Sequence, residues 1–350
     1  MSNTYSFAAI RGVQAGRAFY VAMVPIKTLE RLFSFDDEEL PTALRAQRAL
    51  NRARVPAIAR YVADHPRDYV LSALSATIDG AFAFEPAPGE RSVGTLNVEM
   101  TATLLINDGQ HRRAGLVEAL RDRPSLGDET IAVTLFPDEG LARSQQMFVD
   151  LNQHGVRPAR SLRLFYDGRD DGARLSRAVA DAIPLLRDMT DFTRSNLAAG
   201  SRKLFAFSSI HTAVTTLVDA ASLPASPDDP SSAVEFWESV IANMPDWLAA
   251  GRREVAPAEL RRDTVHAHGI ALEAIAVAGA RLLVERPKDW RDALAGLARI
   301  DWSRSNTGLW EGRALVRGRV NRSRASVLLT AELISRALGQ EADDAGAGTR

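Results

Sequence analysis

The spacing of apolar residues divides the chain into a first part with strand-like runs and a second part with helical periodicity. Apolar runs of strand length occur at 18–24, 103–106 and 131–136, and the segments 69–78 and 94–100 have the same character. Beyond Arg157 apolar residues recur at helical spacing, which predicts helices over 234–247, 257–284 and 290–297. The pattern therefore predicts an α+β fold, with the sheet in the first part of the chain and a mostly helical C-terminal half.

Short-range spacing predicts three details of local structure. The segments 94–100 and 103–106 are close enough in sequence to pair as a hairpin. His266 and His268 lie two residues apart in the predicted 257–284 helix and would point to different faces, which favours core or capping roles over a shared metal. The stretch at 222–230, rich in Ser, Pro and Asp, is the clearest linker, near 222–231.

The most informative polar motif follows the apolar run 103–106, where a strand leads through a tight turn into a helix. Asp108 is the predicted N-cap of that helix, and Gly109 supplies the turn. His111, Arg112 and Arg113 occupy the first helical turn, where the helix dipole disfavours cations unless an anion lies among them. A phosphate bound by backbone N–H groups and Arg side chains would supply that anion. A capped, solvated helix start with ordinary surface arginines is the alternative.

Two other segments could contribute to the same phosphate site. Arg48 and Arg54 lie on a helical segment over 36–64 whose arginines have no nearby acid until Asp64. A helix predicted over about 141–151 ends in Asn152 and Gln153, which could reach the same pocket. A solvated helix face explains Arg48 and Arg54 equally well. Polar residues such as Asn152 and Gln153 more commonly terminate a helix than bind a ligand.

Composition excludes several kinds of chemistry. The 350 residues allow two domains, and the absence of cysteine excludes disulfides, thiolate metal sites and cysteine nucleophiles.

The net charge of −1 means that binding to nucleic acid must come from local patches. Of 43 basic residues 40 are arginine, which binds phosphate bidentately. No apolar run has the length of a membrane span or the form of a signal peptide, so a cytoplasmic protein is expected.

The strongest local patch is the basic segment 313–324. Five arginines and an asparagine occur there, and no acid lies between Glu311 and Glu332. Arginines of this kind suit a phosphate backbone, and Asn and Arg also reach base edges. The predicted DNA-contacting residues are Arg313, Arg317, Arg319, Asn321, Arg322 and Arg324. A solvated basic turn between helices is the alternative.

Taken together, these motifs resemble the DndB family of bacterial DNA phosphorothioation clusters, a family of DGQHR-domain proteins. Residues 108–112 spell DGQHR, and further matching positions run along almost the whole chain. They are Gln47, Arg48, Asn51, Arg54, Ile58, Tyr61, residues 69–71, Asp150, Asn152, residues 265–269 and residues 300–302.

More distantly, the layout is similar to the ParB and sulfiredoxin fold, in which a phosphate-binding turn and a later Asn/Gln motif enclose a nucleotide. This resemblance implies a ParB/sulfiredoxin-like domain over 1–165. The helical periodicity predicts a helical domain over 166–340, and the residues 341–350, rich in Gly, Ala and Asp, are predicted to be a disordered tail. It also implies a set of nucleotide-binding residues: Gly109, Gln110, His111, Arg112, Arg113, Asn152 and Gln153. The position of the sulfiredoxin cysteine holds Gln110, which excludes thiol chemistry, and the Asn-x-Gln-Arg element of ParB is shortened.

The DndB resemblance implies a transcriptional repressor that binds double-stranded promoter DNA of a phosphorothioation gene cluster, with a nucleotide or phosphate pocket at the DGQHR turn. The alternative is an NTP-hydrolysing or DNA-nicking enzyme that uses ATP or another NTP with Mg²⁺, in which Asp108 or His111 handles a proton or a metal. A scaffold for the modification enzymes is a third hypothesis. We predict the repressor, as a homo-oligomer that contacts other phosphorothioation proteins, with no membrane partner and no dedicated metal site.

Overall fold

The computed structural model describes residues 4–34, 52–140, 143–144, 146–147, 150–151 and 158–340. The chain divides into two compact units, 1–156 and 157–350. Each unit has its own cluster of buried apolar side chains. Arg48, Asn152, Gln153, part of the predicted 141–151 helix and the predicted tail over 341–350 lie outside the described residues.

The first unit is built around one mixed sheet. Its described elements are β1 (Thr4–Gln14), β2 (Arg17–Pro25), α1 (Leu29–Leu32), β3 (Phe33–Ser34), α2 (Val55–Asp64), β4 (Leu74–Asp79), β5 (Phe82–Pro86), β6 (Val93–Glu99), β7 (Thr103–Asp108), α3 (Gln110–Asp122) and β8 (Thr130–Pro137). The strand order is β3-β7-β4-β8-β2-β1-β6-β5. β4 runs parallel to β8 and β3 parallel to β7, while the other neighbours are antiparallel.

The predicted hairpin between 94–100 and 103–106 is wrong. β6 pairs with β1 and β5, whereas β7 lies between β3 and β4. The prediction fails because the apolar pattern does not reveal the strand β1, in which only Phe7 and Ala9 are buried. Phe7 faces Leu96 across the β1–β6 pair, so the N-terminal strand provides β6 with a partner far away in sequence.

Alternating residues of the central strands form the core of the first unit. Leu74 and Ala76 of β4 are fully buried beside Val133 and Leu135 of β8, their partners in the parallel pair. Leu116 of α3 belongs to the same buried cluster, so α3 covers this face of the sheet. The strand predicted over 69–78 begins only at residue 74.

α3 packs closely on α2 because residue 115 has no side chain. A Cβ atom on Gly115 would lie 2.5 Å from Ile58 Cγ2 and 2.7 Å from Ile58 Cβ. The approach of these two helices fixes the position of α3, and therefore of the turn that precedes it.

The second unit is mostly helical, as the apolar spacing predicts. Its described elements are α4 (Arg160–Tyr166), α5 (Asp171–Ala182), α6 (Pro184–Met189), β9 (Thr190–Asp191), β10 (Phe205–Ala206), α7 (Phe207–Ala221), α8 (Ser231–Ala242), α9 (Pro245–Gly251), α10 (Pro257–Asp263), α11 (Gly269–Glu285), α12 (Trp290–Ala293), α13 (Thr307–Trp310), β11 (Leu315–Val316), β12 (Arg319–Val320) and α14 (Arg324–Ala337). β9 pairs with β10 and β11 with β12. The two units together confirm the α+β fold class.

The apolar helix α11 lies at the centre of the second unit. It packs against α7 and α14, and most of its residues are buried. The predicted linker at 222–231 connects α7 to α8 inside this unit, and both helices contribute to its core. None of the helices in the described part of the chain is long and apolar enough to cross a membrane.

The predicted helix over 257–284 is interrupted, so the placement of His266 and His268 on a helix is wrong. α10 ends at Asp263 and α11 begins at Gly269. Between them the backbone is extended at Thr264 and His268. The break is stabilised by tertiary pairing, because the N–H of Val265 donates to the carbonyl of Trp302 at 2.8 Å.

Candidate functional site

The DGQHR motif forms the junction between β7 and α3. β7 ends at Asp108, and Gly109 adopts the left-handed conformation with φ +102° before α3 begins. A Cβ atom at this position would lie 2.5 Å from Leu74 Cδ2 and 2.9 Å from Arg112 Nη2. Glycine is required here both by backbone conformation and by close packing.

The prediction that Asp108 is the N-cap of α3 is wrong. Gly109 occupies the cap position, and no side chain caps this helix start. Asp108 instead accepts a hydrogen bond from Arg112 Nη2 at 2.7 Å, which places a carboxylate one turn before the arginine. The anion that this cationic helix start needs is therefore present within the protein itself.

Arg112 also fastens the junction to the loop that precedes β4. Its Nη1 donates to the Ser72 hydroxyl at 2.5 Å, and its Nη2 donates to the carbonyl of Ala73 at 3.1 Å. The side chain is only 23% exposed. The sequence contains no signal for the contact with Ser72, which lies 40 residues earlier in the chain.

Gln110 and Arg113 make further internal contacts. The buried Gln110 amide donates to the carbonyls of Ile106 and Asn107 at 3.3 Å. The Arg113 guanidinium donates to carbonyls around α1, which are those of Leu29, Glu30 and Phe33. Burial lowers the pKa of Arg113, and the nearby Glu30 carboxylate opposes that shift.

The structure thus brings Asp108, Gly109, Gln110, Arg112 and Arg113 together at one junction, held mainly by contacts within the protein. His111 lies half-buried on the first turn of α3. Arg54 lies at the start of α2, the helix that packs on α3. Among the described residues, no group of three or more His, Asp and Glu side chains could hold a metal ion.

The basic segment forms a short hairpin followed by a helix. β11 and β12 are joined by Arg317 and Gly318, which have φ values of +53° and +70°. Two successive left-handed residues are typical of the type I′ turn. The carboxylate of Glu311 accepts the backbone N–H groups of both turn residues and so holds the turn in place.

Three of the predicted DNA-contacting arginines are exposed on this segment. They are Arg317 at the tip, Arg319 in β12 and Arg324 at the start of α14. None of the three forms an ion pair with a side chain that the structure describes.

The other predicted DNA-contacting residues are bound within the protein. Arg313 Nη1 donates to the carbonyl of Leu309 at 2.9 Å, and the Asn321 side-chain oxygen accepts the N–H of Ser323. Arg322 Nε donates to Glu273 at 2.8 Å, and Arg322 lines a cavity in the second unit. The segment is therefore divided between exposed arginines that have no ion-pair partner among the described residues and residues that are held by contacts within the protein.

The two histidines of the break between α10 and α11 are tied to buried groups. Trp247 Nε1 donates to His266 Nδ1 at 3.0 Å, and His266 Nε2 lies 2.8 Å from Asp246 Oδ2. Because an indole N–H can only donate, His266 carries its proton on Nε2 and donates it to the carboxylate. His268 Nε2 donates to the carbonyl of Arg261 at 2.7 Å. These contacts confirm a core role for His266.

A family model described as DndB, DNA-sulfur modification-associated, matches residues 7–341 of the chain. That match covers both compact units and reaches almost from end to end. Searches of curated proteins and of solved structures found no match. The likeness of the first unit to the ParB and sulfiredoxin fold therefore stays a prediction.

Proposed function

The chain belongs to the DndB family of DNA-sulfur modification-associated proteins, and on this premise we propose that it is a DNA-binding transcriptional repressor of a phosphorothioation gene cluster. Family membership connects it with DNA sulfur modification. The exposed basic hairpin supports direct contact with DNA, because its guanidinium groups are available to phosphates.

The arrangement of charges around the hairpin carries the proposal. Arg317, Arg319 and Arg324 are exposed, while Glu311, the acid that precedes them in sequence, binds backbone N–H groups of the turn. A two-stranded ribbon is also narrow enough to enter the major groove of B-DNA. The hairpin thus combines a compatible shape with a local excess of positive charge.

The test neutralises the three exposed arginines and leaves the turn intact. In the triple variant Arg317→Asn, Arg319→Gln, Arg324→Gln, the first change creates Asn-Gly, the pair that a type I′ turn prefers. We expect weaker binding to promoter and scrambled duplexes alike. The slope of log K against log salt should flatten by about 0.9 for each lost phosphate contact, up to about 2.7 for three. Binding is measured with both duplexes across a salt series.

The matched control removes the same charge elsewhere in the second unit. Arg187, Arg252 and Arg336 are exposed, and each pairs with an acid close to it in sequence. Their triple change to Gln should leave the salt dependence near that of the wild type. Equal slopes for the hairpin variant and the wild type would show that the hairpin does not contact DNA.

The geometry supports catalysis at the DGQHR turn less well than it supports DNA binding by the basic hairpin. The Asp108 carboxylate is engaged by Arg112, and the donors of Gln110, Arg112 and Arg113 bind Ser72, Asp108 and backbone carbonyls. A phosphate could still approach the uncapped start of α3, so nucleotide binding there stays a prediction. NTP hydrolysis or nicking by Asp108 or His111 is not part of the proposed function.

A further inference from the structure

A cavity of about 850 Å³ opens in the second unit, and its lining includes Val320 of β12 and Arg322. Its buried floor is apolar and includes Leu204, Phe205, Ala267 and Ile270. Sites for small organic ligands have volumes of roughly 300–1,000 Å³ and mostly apolar walls with a few convergent polar groups. The size and the floor therefore fit a ligand with a flat apolar part, such as a nucleobase.

The polar group at the buried side of this cavity is Ser209. The residue is 9% exposed, and its side-chain oxygen accepts a hydrogen bond from Arg322 Nη1 at 3.3 Å. The hydroxyl proton has no acceptor among the residues that the structure describes. A buried donor of this kind is costly to leave unpaired, so an acceptor from a ligand would stabilise it.

Arg322 is held beside Ser209 so that part of its guanidinium faces the cavity. Glu273 accepts from Nε at 2.8 Å, and Nη1 binds Ser209. Within the described chain Nη2 makes no hydrogen bond. One positively charged donor, already oriented by its neighbours, is thus available to an anion.

Gly269 provides the space in which these donors meet. A Cβ atom on this residue would lie 2.5 Å from Ser209 Oγ and 2.9 Å from Arg322 Nη1. Gly269 also begins α11, whose first turn has no side-chain cap. The N–H groups of Ala271 and Leu272 donate to the carbonyl of His268. Those of Gly269 and Ile270, which both line the cavity, add to the donors that Ser209 and Arg322 provide.

The remaining charges around the cavity favour an anion with fewer charges than a triphosphate. Arg261 donates to the carbonyls of Lys203 and of three residues in the 198–201 loop, so its guanidinium shapes the wall. Arg262 is paired with Asp263 through two hydrogen bonds, and Glu259 lies exposed at the rim. Since Glu273 also offsets Arg322, a phosphate monoester fits this site better than a triphosphate.

We propose that this cavity binds a nucleoside monophosphate, with the phosphate at Ser209 and Arg322 and the base against the apolar floor. The site lies in a different unit from the DGQHR turn, and Arg317, Arg319 and Arg324 do not line it.

Calorimetric titration of the full chain with AMP, adenosine, inorganic phosphate and ATP tests the proposal. AMP should bind one per chain and more tightly than the other three probes. Arg322→Gln should weaken AMP binding at least about tenfold, because it removes a charge-assisted hydrogen bond. Arg187→Gln removes the same charge from an exposed residue of the second unit that does not line the cavity and should leave AMP affinity unchanged.

Two further variants keep the outcome decisive. Ser209→Ala removes only the hydroxyl group, so it tests the site even if Arg322→Gln unfolds, and it should weaken AMP binding about tenfold. His111→Ala in the DGQHR turn should bind AMP like the wild type. The proposal is overturned if the wild type does not bind AMP, if Ser209→Ala binds it with unchanged affinity, or if only His111→Ala loses it.

Discussion

At the scale of single residues, Arg112 shows how the charge conflict at a helix start is resolved. An arginine in the first turn of α3 opposes the helix dipole, and the Asp108 carboxylate compensates at 2.7 Å. The same guanidinium bonds Ser72 and Ala73, which lie just before β4. Arg112 therefore connects the end of one central strand to the start of its neighbour.

Replacing Arg112 should destabilise the first unit. Arg112→Ala removes three hydrogen bonds from a mostly buried side chain, and we expect a loss of about 2 kcal/mol in the free energy of unfolding. Arg60→Ala, which removes an exposed arginine with a single bond to the Pro56 carbonyl at 3.4 Å, is the control in the same unit. Urea denaturation of the two variants measures the difference. Equal stabilities would mean that the Arg112 contacts contribute nothing to the fold.

Sequence predicts the glycine of this junction better than its charged residues. Gly109 follows from turn chemistry, because few other residues adopt a positive φ. Asp108 could cap the helix or pair with Arg112, depending on which residue occupies the cap position. The local sequence does not determine which residue that is. The inward direction of Arg112 depends on Ser72 and Ala73, which only the folded sheet brings near.

At the scale of elements, apolar spacing predicts segments well and their partners poorly. The runs at 18–24, 103–106 and 131–136 correspond to β2, β7 and β8. The hairpin predicted between 94–100 and 103–106 does not form, because β6 pairs with β1. β1 is not recognisable from the sequence, since too few of its residues are buried. The break at 264–268 is likewise invisible to periodicity, since it depends on backbone pairing with residues 302 and 303.

The contact between α2 and α3 gives a prediction at this scale. Gly115→Ala would place a methyl group 2.5 Å from Ile58 Cγ2, so the helices must separate. Overpacking of this kind costs about 1–3 kcal/mol, and we expect a matching loss in the free energy of unfolding. Gly308→Ala in α13, where only Asn306 Oδ1 lies near at 3.8 Å, is the helical control and should not destabilise. Thermal melts that show no difference between the two variants would contradict the close packing.

At the scale of the whole molecule, three histidines whose pKa is lowered by burial lie in the same unit. His211, His266 and His268 all belong to the second unit, and burial lowers the pKa of each below the ordinary value of 6.5. When the folded-state pKa is depressed, the unfolded chain binds more protons as the pH falls. The stabilising effect of keeping these residues neutral is complete above pH 6.5 and is lost progressively below it.

We therefore expect acid to weaken the second unit first. Each histidine should contribute a slope of up to about 1.4 kcal/mol per pH unit below pH 6.5. All five tryptophans lie between residues 237 and 310, so their fluorescence reports the unfolding of this unit alone. Denaturant titrations from pH 8 to pH 5 measure the effect, and His211→Gln should reduce the slope. Stability that stays constant or rises toward pH 5 would be inconsistent with neutral, buried histidines.

The left-handed glycine between β7 and α3 has a consequence for how related chains are recognised. The glycine, the aspartate before it and the arginine three residues after it are each required by the geometry of one strand-to-helix joint. A pentapeptide of this kind identifies a type of connection between a strand and a helix as much as it identifies a reaction. A database search that starts from these five letters would collect chains that build the same joint, and their activities would have to be read from residues elsewhere.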